Sequence, residues 1–272
     1  MSNNLRRIGT ALLAAPVVVG GAYLGGWWFA GLVGLIGVLG QRELYLMAHE
    51  AGVHPYRVGG YLVGLSVVAV AVQPSLWPAG AILLLVFTVA APLLLPHEQF
   101  LVSFAVTLAG MVYPTALLGS LVVLREVRSP AVADGEAFHL VLVVLLIVWA
   151  TDVAAYYVGR TWGQRPLAPT ISPSKTWEGT LGGIGAAMAV GILLKGVLVD
   201  VLAWPHVVAL IAIGGGVGQV GDLLESTLKR SVGVDDSSTI LPGHGGMLDR
   251  FDAMAVAAPI IVLYLHLVAG LF

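Results

Sequence analysis

Long apolar runs recur along almost the entire chain, and they limit its fold more than any other feature. A helix needs about 20 apolar residues to cross the hydrocarbon core of a bilayer, and the 272-residue sequence contains several runs of that length. Hydrophobic residues make up 58% of the chain and charged residues only 10%, a composition unlike that of soluble domains. The sequence therefore predicts an all-α, polytopic bundle of membrane helices.

Nine spans are expected, and the cations between them predict an orientation. The spans are 8–24, 26–40, 57–73, 76–95, 99–123, 137–159, 179–199, 204–222 and 252–271. With the N-terminus in the cytoplasm, only Arg125, Arg128 and Lys195 of the 13 Lys and Arg residues lie outside, as the positive-inside rule favours. This topology places the polar segments 160–178 and 223–251 on one face of the membrane, so that they can form one site.

Residues 41–54 have a different pattern and are expected to form a helix lying in the membrane interface. Leu44, Met47 and Ala48 fall on one helical face, and charged residues such as Glu43 fall on the other. This arrangement is typical of amphipathic helices that lie along a bilayer. An ordinary amphipathic connector is the alternative.

One polar segment, 221–252, lies between two apolar runs. It holds six of the 15 acidic residues together with cations and glycines, which in a chain this apolar indicates metal-assisted chemistry on phosphates. Cysteine is absent, so oxygen ligands and a hard cation such as Mg²⁺ are expected. We therefore predict N-terminal transmembrane helices in 1–136 and a catalytic transmembrane segment in 137–272, with motifs in 149–179 and 221–252.

Helical spacing groups the acids of this segment into two sets. The first set lies at i, i+3, i+4 and i+7 and consists of Asp222, Glu225, Ser226 and Lys229. These residues share one face if the preceding helix continues past the membrane. The second set, at i and i+3, begins the last helix with Asp249 and Asp252. Facing carboxylates on two helix ends can hold one or two Mg²⁺ ions. The alternative is a set of salt bridges, Glu225 with Lys229 and Asp249 with Arg250 or Arg230.

The loop before Asp249 is rich in glycine and contains His244. Gly243, Gly245 and Gly246 permit positive φ angles, so that backbone N–H groups can point at an anion. We expect His244 to contact phosphate or base, and a solvated bystander is the alternative. Zinc is not expected, because no other histidine pairs with His244 at helical spacing.

Residues 171–183, ISPSKTWEGTLGG, have the composition of a phosphate-binding helix start. The hydroxyl groups of Ser174 and Thr176, the ammonium of Lys175 and the free N–H groups of the helix all favour a polyphosphate. The Walker A spacing is missing. A Ser/Thr cap with Glu178 behind it explains the same residues as ordinary helix-start chemistry.

Asp152 is the acid placed most deeply within an apolar run. An ionised carboxylate inside a span is costly unless it faces the bundle interior and meets a cation or a metal. Arg160 and Lys175 are its expected partners. A hydrogen bond to a neighbouring helix is the alternative.

Together these residues resemble the signature of the phosphatidate cytidylyltransferases, also called CDP-diacylglycerol synthases. The family pattern S-x-hydrophobic-K-R, then K-D, then H-G-G-hydrophobic-x-D-R-hydrophobic-D is similar to residues 226–230, 235–236 and 244–252. Further matches lie in 149–159, 172–179 and 221–226. One position departs from the pattern, because Asp235 stands where the family has lysine and puts an anion beside the expected phosphate site.

The resemblance implies the reaction of CTP with phosphatidate to give CDP-diacylglycerol and pyrophosphate, at the cytoplasmic face of a bacterial inner membrane. It implies a homodimer, no nucleic-acid partner and one or two Mg²⁺ ions, and it leaves open a monovalent cation. The implied catalytic residues are Asp152, Lys175, Asp222 and Asp249. The implied metal ligands are Asp222 and Asp249, supported by Glu225 and Asp252. The implied substrate-binding residues are Ser174, Lys175, Thr176, Ser226, Lys229, Arg230, His244, Gly245 and Arg250.

Two other functions are compatible with the residues. A CTP-dependent polyprenol or phytol kinase would transfer the γ-phosphoryl group of CTP to a lipid alcohol and release CDP. An ion-coupled transporter would also place acids in membrane helices beside glycine-rich breaks. The transporter is disfavoured because no internal repeat is visible and the acids cluster with a phosphate-like loop.

Overall fold

The computed structural model describes residues 3–94, 99–130, 132, 134–234, 236–238 and 245–271. Its helices are α1 (Asn3–Leu24), α2 (Gly26–Glu50), α3 (Arg57–Val72), α4 (Trp77–Leu94), α5 (Phe100–Gly110), α6 (Leu117–Arg125), α7 (Asp134–Trp162), α8 (Trp177–Lys195), α9 (Trp204–Ala212), α10 (Gly218–Val232) and α11 (Leu248–Leu267). π-Helical turns at Met111–Ala116 and Ile213–Val217 join α5 to α6 and α9 to α10. Between α7 and α8, β1 (Pro166–Ala168) pairs antiparallel with β2 (Ser172–Thr176).

Seven helical stretches in the described part of the chain are long and apolar enough to cross a membrane. They are Gly26–Glu50, Pro74–Leu93, Phe100–Arg125, Gly135–Trp162, Trp177–Lys195, Trp204–Val232 and Leu248–Leu267. Two further apolar helices, Leu13–Leu24 and Arg57–Val72, are shorter. The predicted all-α, polytopic membrane fold is confirmed. The count of nine spans and the cytoplasmic N-terminus stay predictions.

Two helices that carry candidate site residues are longer than the hydropathy pattern predicts. The stretch that begins at Trp204 continues through α10 to Val232, although the predicted span ends at 222. α11 begins at Leu248 rather than at 252. The apolar run ends where the membrane-facing surface ends, whereas the backbone hydrogen bonds of an amphipathic helix continue beyond it. The condition for a shared face of the first acid set is therefore met.

Residues 41–50 continue α2 and do not form a separate helix, whereas their place in the membrane interface stays a prediction. α2 continues without a break to Glu50, and both Gln41 and Glu43 are buried. Gln41 Nε2 donates a hydrogen bond to the Tyr45 hydroxyl at 2.7 Å. An amphipathic pattern shows that one face of a helix is polar. It does not show whether water or other parts of the protein form hydrogen bonds with the polar groups of that face.

The chain divides into two compact units, and each unit consists of two separate stretches of the sequence. The first consists of Met1–Val123 with Val232–Phe251, and the second of Leu124–Ser231 with Asp252–Phe272. This partition differs from the predicted segments 1–136 and 137–272. The reason is that the segment from Val232 packs with the N-terminal helices, where its serines and amides donate hydrogen bonds to Glu43.

Candidate active site

The start of α8 presents Lys175 and Thr176 at the end of an extended strand. Thr176 is the N-cap residue, and its Oγ1 accepts a hydrogen bond from the Gly179 backbone N at 3.1 Å. The capping interpretation of this motif is therefore confirmed. A capping hydroxyl still has its own proton to donate, so the predicted contact of Thr176 with phosphate stays a prediction.

Glu178 ties the preceding loop to the same helix start. Its carboxylate accepts hydrogen bonds from the backbone N of Gln164 at 3.0 Å and from the backbone N and Nε of Arg165 at 3.1 and 2.8 Å. The Trp177 backbone N donates to the Arg165 carbonyl at 2.9 Å. These bonds hold the two ends of the β-hairpin together, and they thereby fix the strand that carries Lys175.

Lys175 meets the acid stripe of α10. Its Nζ lies 2.5 Å from Oδ2 of Asp222, and the two side chains are 22% and 34% exposed. The contact joins the motifs in 149–179 and 221–252, which are far apart in the sequence. Both side chains are partly exposed, but the Lys175 Nζ atom itself is buried, so its charge acts from within the unit.

α10 and α11 approach each other closely at Gly221. A Cβ atom at this position would lie 2.5 Å from the carbonyl O of Asp252 and 3.1 Å from Cα of Ala253. Only a residue without a side chain permits this approach. The packing brings the carboxyl group of Asp222, the next residue on α10, close enough to that of Asp252 for the two charges to interact.

Asp252 is a buried acid of this cluster, with 4% of its surface exposed. The carboxylates of Asp222, Glu225 and Asp152 lie within electrostatic range of it. Its Oδ1 accepts a hydrogen bond from the Ala253 backbone N at 2.7 Å. Its buried Oδ2 has no hydrogen-bond donor among the residues that the structure describes. Such a concentration of negative charge is unfavourable unless a cation neutralises it.

Two cations already lie beside this cluster. Besides Lys175, Lys229 is held on α10 by Glu225, with Nζ and Oε2 2.8 Å apart and both side chains largely buried. The predicted alternative of a Glu225–Lys229 salt bridge is therefore confirmed. Ser226 lies half-buried on the same helix, and Arg230 is exposed one residue beyond Lys229.

Asp152 lies on α7, half-buried and within electrostatic range of Asp252. Arg160, one of its two predicted partners, donates from Nη1 to the Tyr156 hydroxyl at 2.8 Å. Its guanidinium carbon also lies 5.9 Å from the centroid of the Tyr156 ring. Asp152 thus belongs to the acid cluster of the second unit, and its catalytic role stays a prediction.

Asp249 belongs to the first unit, where it organises the loop that precedes α11. Its Oδ2 accepts hydrogen bonds from the backbone N of Gly246 at 2.7 Å, and from the backbone N and Oγ of Ser237 at 3.1 and 2.8 Å. Gly245 has a φ of 78°, as the glycine-rich pattern predicts. The bond from Gly246 to Asp249 resembles half of a capping box.

The remaining predicted residues differ in their surroundings. Ser174 and Arg250 are exposed on the surface of their units, and their contact with substrate stays a prediction. His244 and Asp235 lie outside the described residues, so their predicted roles stay predictions.

The donor set of the second unit suits a hard divalent cation, although no complete ligand shell is visible. Among the described residues, no three Asp, Glu or His side chains converge as a metal site. The carboxyl groups of Asp222 and Asp252 nevertheless interact electrostatically, and one buried oxygen of Asp252 has no donor in the described part of the chain. Carboxylate oxygens in this arrangement are the ligands that Mg²⁺ prefers.

Two buried polar residues near the motifs are not predicted from the sequence. Gln219 connects α10 to α8, because its Nε2 donates to the Gly215 carbonyl at 3.0 Å and its Oε1 accepts from the Thr180 hydroxyl at 2.8 Å. Glu43 accepts hydrogen bonds from the loop before α11. The sequence feature that could have identified Gln219 is its position as a polar residue within an apolar run. For Glu43, it is an acid next to apolar residues that pack in the core.

The sequence matches a known family over nearly its full length. A profile of the Cytidylyltransferase family matches residues 5–268. The chain belongs to this family. The predicted resemblance is thereby confirmed, and it extends beyond the motifs to the N-terminal helices.

Several bacterial proteins named phosphatidate cytidylyltransferase are similar to this member of the family. The protein of Pseudomonas aeruginosa is 34% identical over 277 residues, which cover 96% of each chain. That of Brucella suis is 39% identical over 189 residues, which cover 68% of this chain and 66% of the Brucella protein, slightly less than two thirds. That of Staphylococcus saprophyticus is 42% identical over 144 residues, 52% of each chain.

Proposed function

We propose that this protein transfers the cytidylyl group of CTP to phosphatidate, giving CDP-diacylglycerol and pyrophosphate. The observation that carries the proposal is the contact of Lys175 with Asp222 beside Asp252, which joins a cation and two carboxylates at the ends of membrane helices. Membership of the cytidylyltransferase family and the names of the similar proteins support it. A position where a polar segment meets an apolar span suits a reaction between a water-soluble nucleotide and a membrane lipid.

The reaction joins two anions. An oxygen of the phosphatidate phosphate attacks the α-phosphorus of CTP and forms a new P–O bond. The bond from that phosphorus to the oxygen bridging to the β-phosphate breaks, and pyrophosphate leaves with the electron pair. The attacking oxygen is already anionic at neutral pH, so no strong general base is needed. The barrier comes mainly from charge repulsion, which fixed cations reduce.

Lys175 is the residue best placed to reduce that repulsion. Its ammonium already forms a charge-assisted contact with Asp222, and a phosphate oxygen can replace the carboxylate at similar strength. Thr176 can donate its hydroxyl proton to the same phosphate. Lys229 and Arg230 supply further positive charge along α10 for the triphosphate.

A divalent cation such as Mg²⁺ fits the acids of the second unit. Asp222 and Asp252 would hold it, with Glu225 as a supporting acid. When bound, it would screen the triphosphate charge and stabilise pyrophosphate as it leaves. Asp249 is a further ligand predicted from the motif. The same proposal includes one or two Mg²⁺ ions, and it leaves open a monovalent cation.

We also propose that the site faces the cytoplasm of a bacterial inner membrane and that the protein is a homodimer. The distribution of Lys and Arg supports the orientation, and the similar proteins are bacterial. Because the chain has no cysteine, single cysteines at the exposed Ser174 and near Arg125 can be labelled with a membrane-impermeant maleimide. Labelling of the Ser174 site in inverted vesicles but not in intact cells is expected, and the reverse result would overturn the orientation. Cross-linking in native membranes tests the dimer.

The test of the reaction uses purified protein in detergent with phosphatidate, Mg²⁺ and CTP labelled separately at the α- and γ-phosphates. We expect α-label to enter the lipid phase with release of pyrophosphate, and EDTA to abolish the transfer. γ-Label in a polyprenol, with release of CDP, would instead establish a kinase. No transfer of either label by folded protein would refute the proposal.

A further inference from the structure

Glu43 is a fully buried carboxylate at the cytoplasm-facing end that we propose for α2. Its exposed fraction is 0%, although it falls on the polar face of the sequence pattern. The helix around it is held by a buried network, in which Gln41 donates to the Tyr45 hydroxyl and Tyr45 donates to the Thr107 carbonyl at 2.8 Å. Glu43 therefore lies on a helix that buried hydrogen bonds tie to its neighbours in the first unit.

Four donors from one segment satisfy this carboxylate. Its Oε1 accepts from the Ser238 hydroxyl at 2.5 Å and from the Met247 backbone N at 2.9 Å. Its Oε2 accepts from the Ser237 hydroxyl at 3.1 Å and from the Leu248 backbone N at 2.7 Å. The two amides are at the N-terminus of α11, where negative charge is favourable. Glu43 thus joins residues 237–238 to residues 247–248.

The same segment fixes the position of the Asp249 carboxylate through hydrogen bonds. Ser237 contacts Asp249 with both its backbone N and its hydroxyl, and that hydroxyl also lies against Glu43. Gly246 donates its N–H to Asp249, and its missing side chain leaves room for Glu43. A Cβ atom at Gly246 would lie 2.5 Å from Oε2 of Glu43 and even nearer to Oγ of Ser237.

We propose that Glu43 is a positioning residue for the cytidylyl transfer, acting on Asp249 through Ser237 and the backbone at 246–248. The proposal rests on the proposed function, in which Asp249 contributes to catalysis. Residues that orient a functional carboxylate typically change metal affinity or activity by 10- to 100-fold when replaced. Glu43→Gln removes the charge and places an amide group against N–H and O–H donors, so that at least one of the four hydrogen bonds is lost.

The experiment compares Glu43→Gln with Glu50→Gln, a matched control seven residues later on α2 whose side chain is exposed. Hydrogen–deuterium exchange of the full-length protein in detergent reports the loop directly, without any need for activity. We expect exchange of the Met247 and Leu248 amides to accelerate about tenfold or more in Glu43→Gln and to stay unchanged in Glu50→Gln. Amides of α8 serve as an internal control.

Kinetics then separate positioning from general destabilisation. We expect Glu43→Gln to lower kcat about 10- to 100-fold and to raise the Mg²⁺ concentration for half-maximal rate, with the KM for phosphatidate unchanged. Ser238→Ala should give a smaller effect of the same kind, and it keeps the test available if Glu43→Gln does not fold. Faster loop exchange with unchanged kinetics in either variant would overturn the positioning role, and so would unchanged exchange. If the wild type transfers no label, the proposed function fails, while the exchange result still decides whether Glu43 orders the loop.

Discussion

Replacing Gly221 by alanine tests whether the close contact of α10 and α11 sets the acid cluster. The added Cβ would lie 2.5 Å from the Asp252 carbonyl O, about 0.9 Å short of the 3.4 Å at which ordinary contacts begin. The opposing atoms are backbone and cannot rotate away, so the helices must separate by a comparable amount. Overpacking of this kind costs about 1–3 kcal/mol of stability. A misplacement of about 1 Å can lower a catalytic rate on the order of 100-fold.

The assay measures transfer of α-label from CTP to phosphatidate together with the thermal unfolding midpoint in detergent. Gly216→Ala is the matched control, because a Cβ there has no heavy atom within 4 Å and the substitution makes a similar change in backbone entropy. We expect Gly221→Ala to lower kcat/KM about 100-fold and to lower the unfolding midpoint, and Gly216→Ala to stay within about twofold of the wild type. Wild-type kinetics for Gly221→Ala would refute the reasoning.

Three further substitutions test individual residues. Asp222→Asn removes the partner of Lys175 and a proposed Mg²⁺ ligand, so kcat/KM should fall about 100-fold or more; a Mg²⁺ titration identical to that of the wild type would contradict the assignment. Thr176→Ala removes the N-cap of α8 and should destabilise the protein by about 1 kcal/mol, measured by thermal unfolding, with Ser174→Ala as a control that leaves the cap intact. Asp235→Lys restores the family cation and should raise kcat or lower the KM for CTP; unchanged kinetics would remove this position from the site.

The local structure of the motifs could be predicted from the sequence because it depends on neighbouring residues. The extended strand before Thr176, the cap at the start of α8 and the shared face from Asp222 to Lys229 follow from proline, capping and helical spacing. The Glu225–Lys229 pair follows from the same spacing. The membrane helices follow from the length of apolar runs, since a bilayer leaves few other ways to satisfy a buried backbone.

Contacts between distant segments could not be predicted in this way. Glu43 has the spacing of an exposed polar face, but it is buried because a loop nearly 200 residues later supplies four donors. The contact of Asp252 with Asp222 depends on how closely two helices pack at Gly221, which no periodicity reports. Sequence patterns show which side chains can share a face, whereas their partners depend on tertiary packing.

The sequence by itself thus determined that this protein lies in a membrane, where its helices form and which residue types its motifs contain. Hydropathy, capping and spacing act over a few turns of chain, so they can be read without the tertiary structure. Only the tertiary structure decided which carboxylate meets a lysine, which meets another carboxylate and which is enclosed by backbone N–H groups. These surroundings determine the free energy of each charge, since burial without a partner costs more than most single interactions contribute. Asp222, Asp252 and Glu43 all carry a carboxyl group, but tertiary packing gives each of them different neighbours.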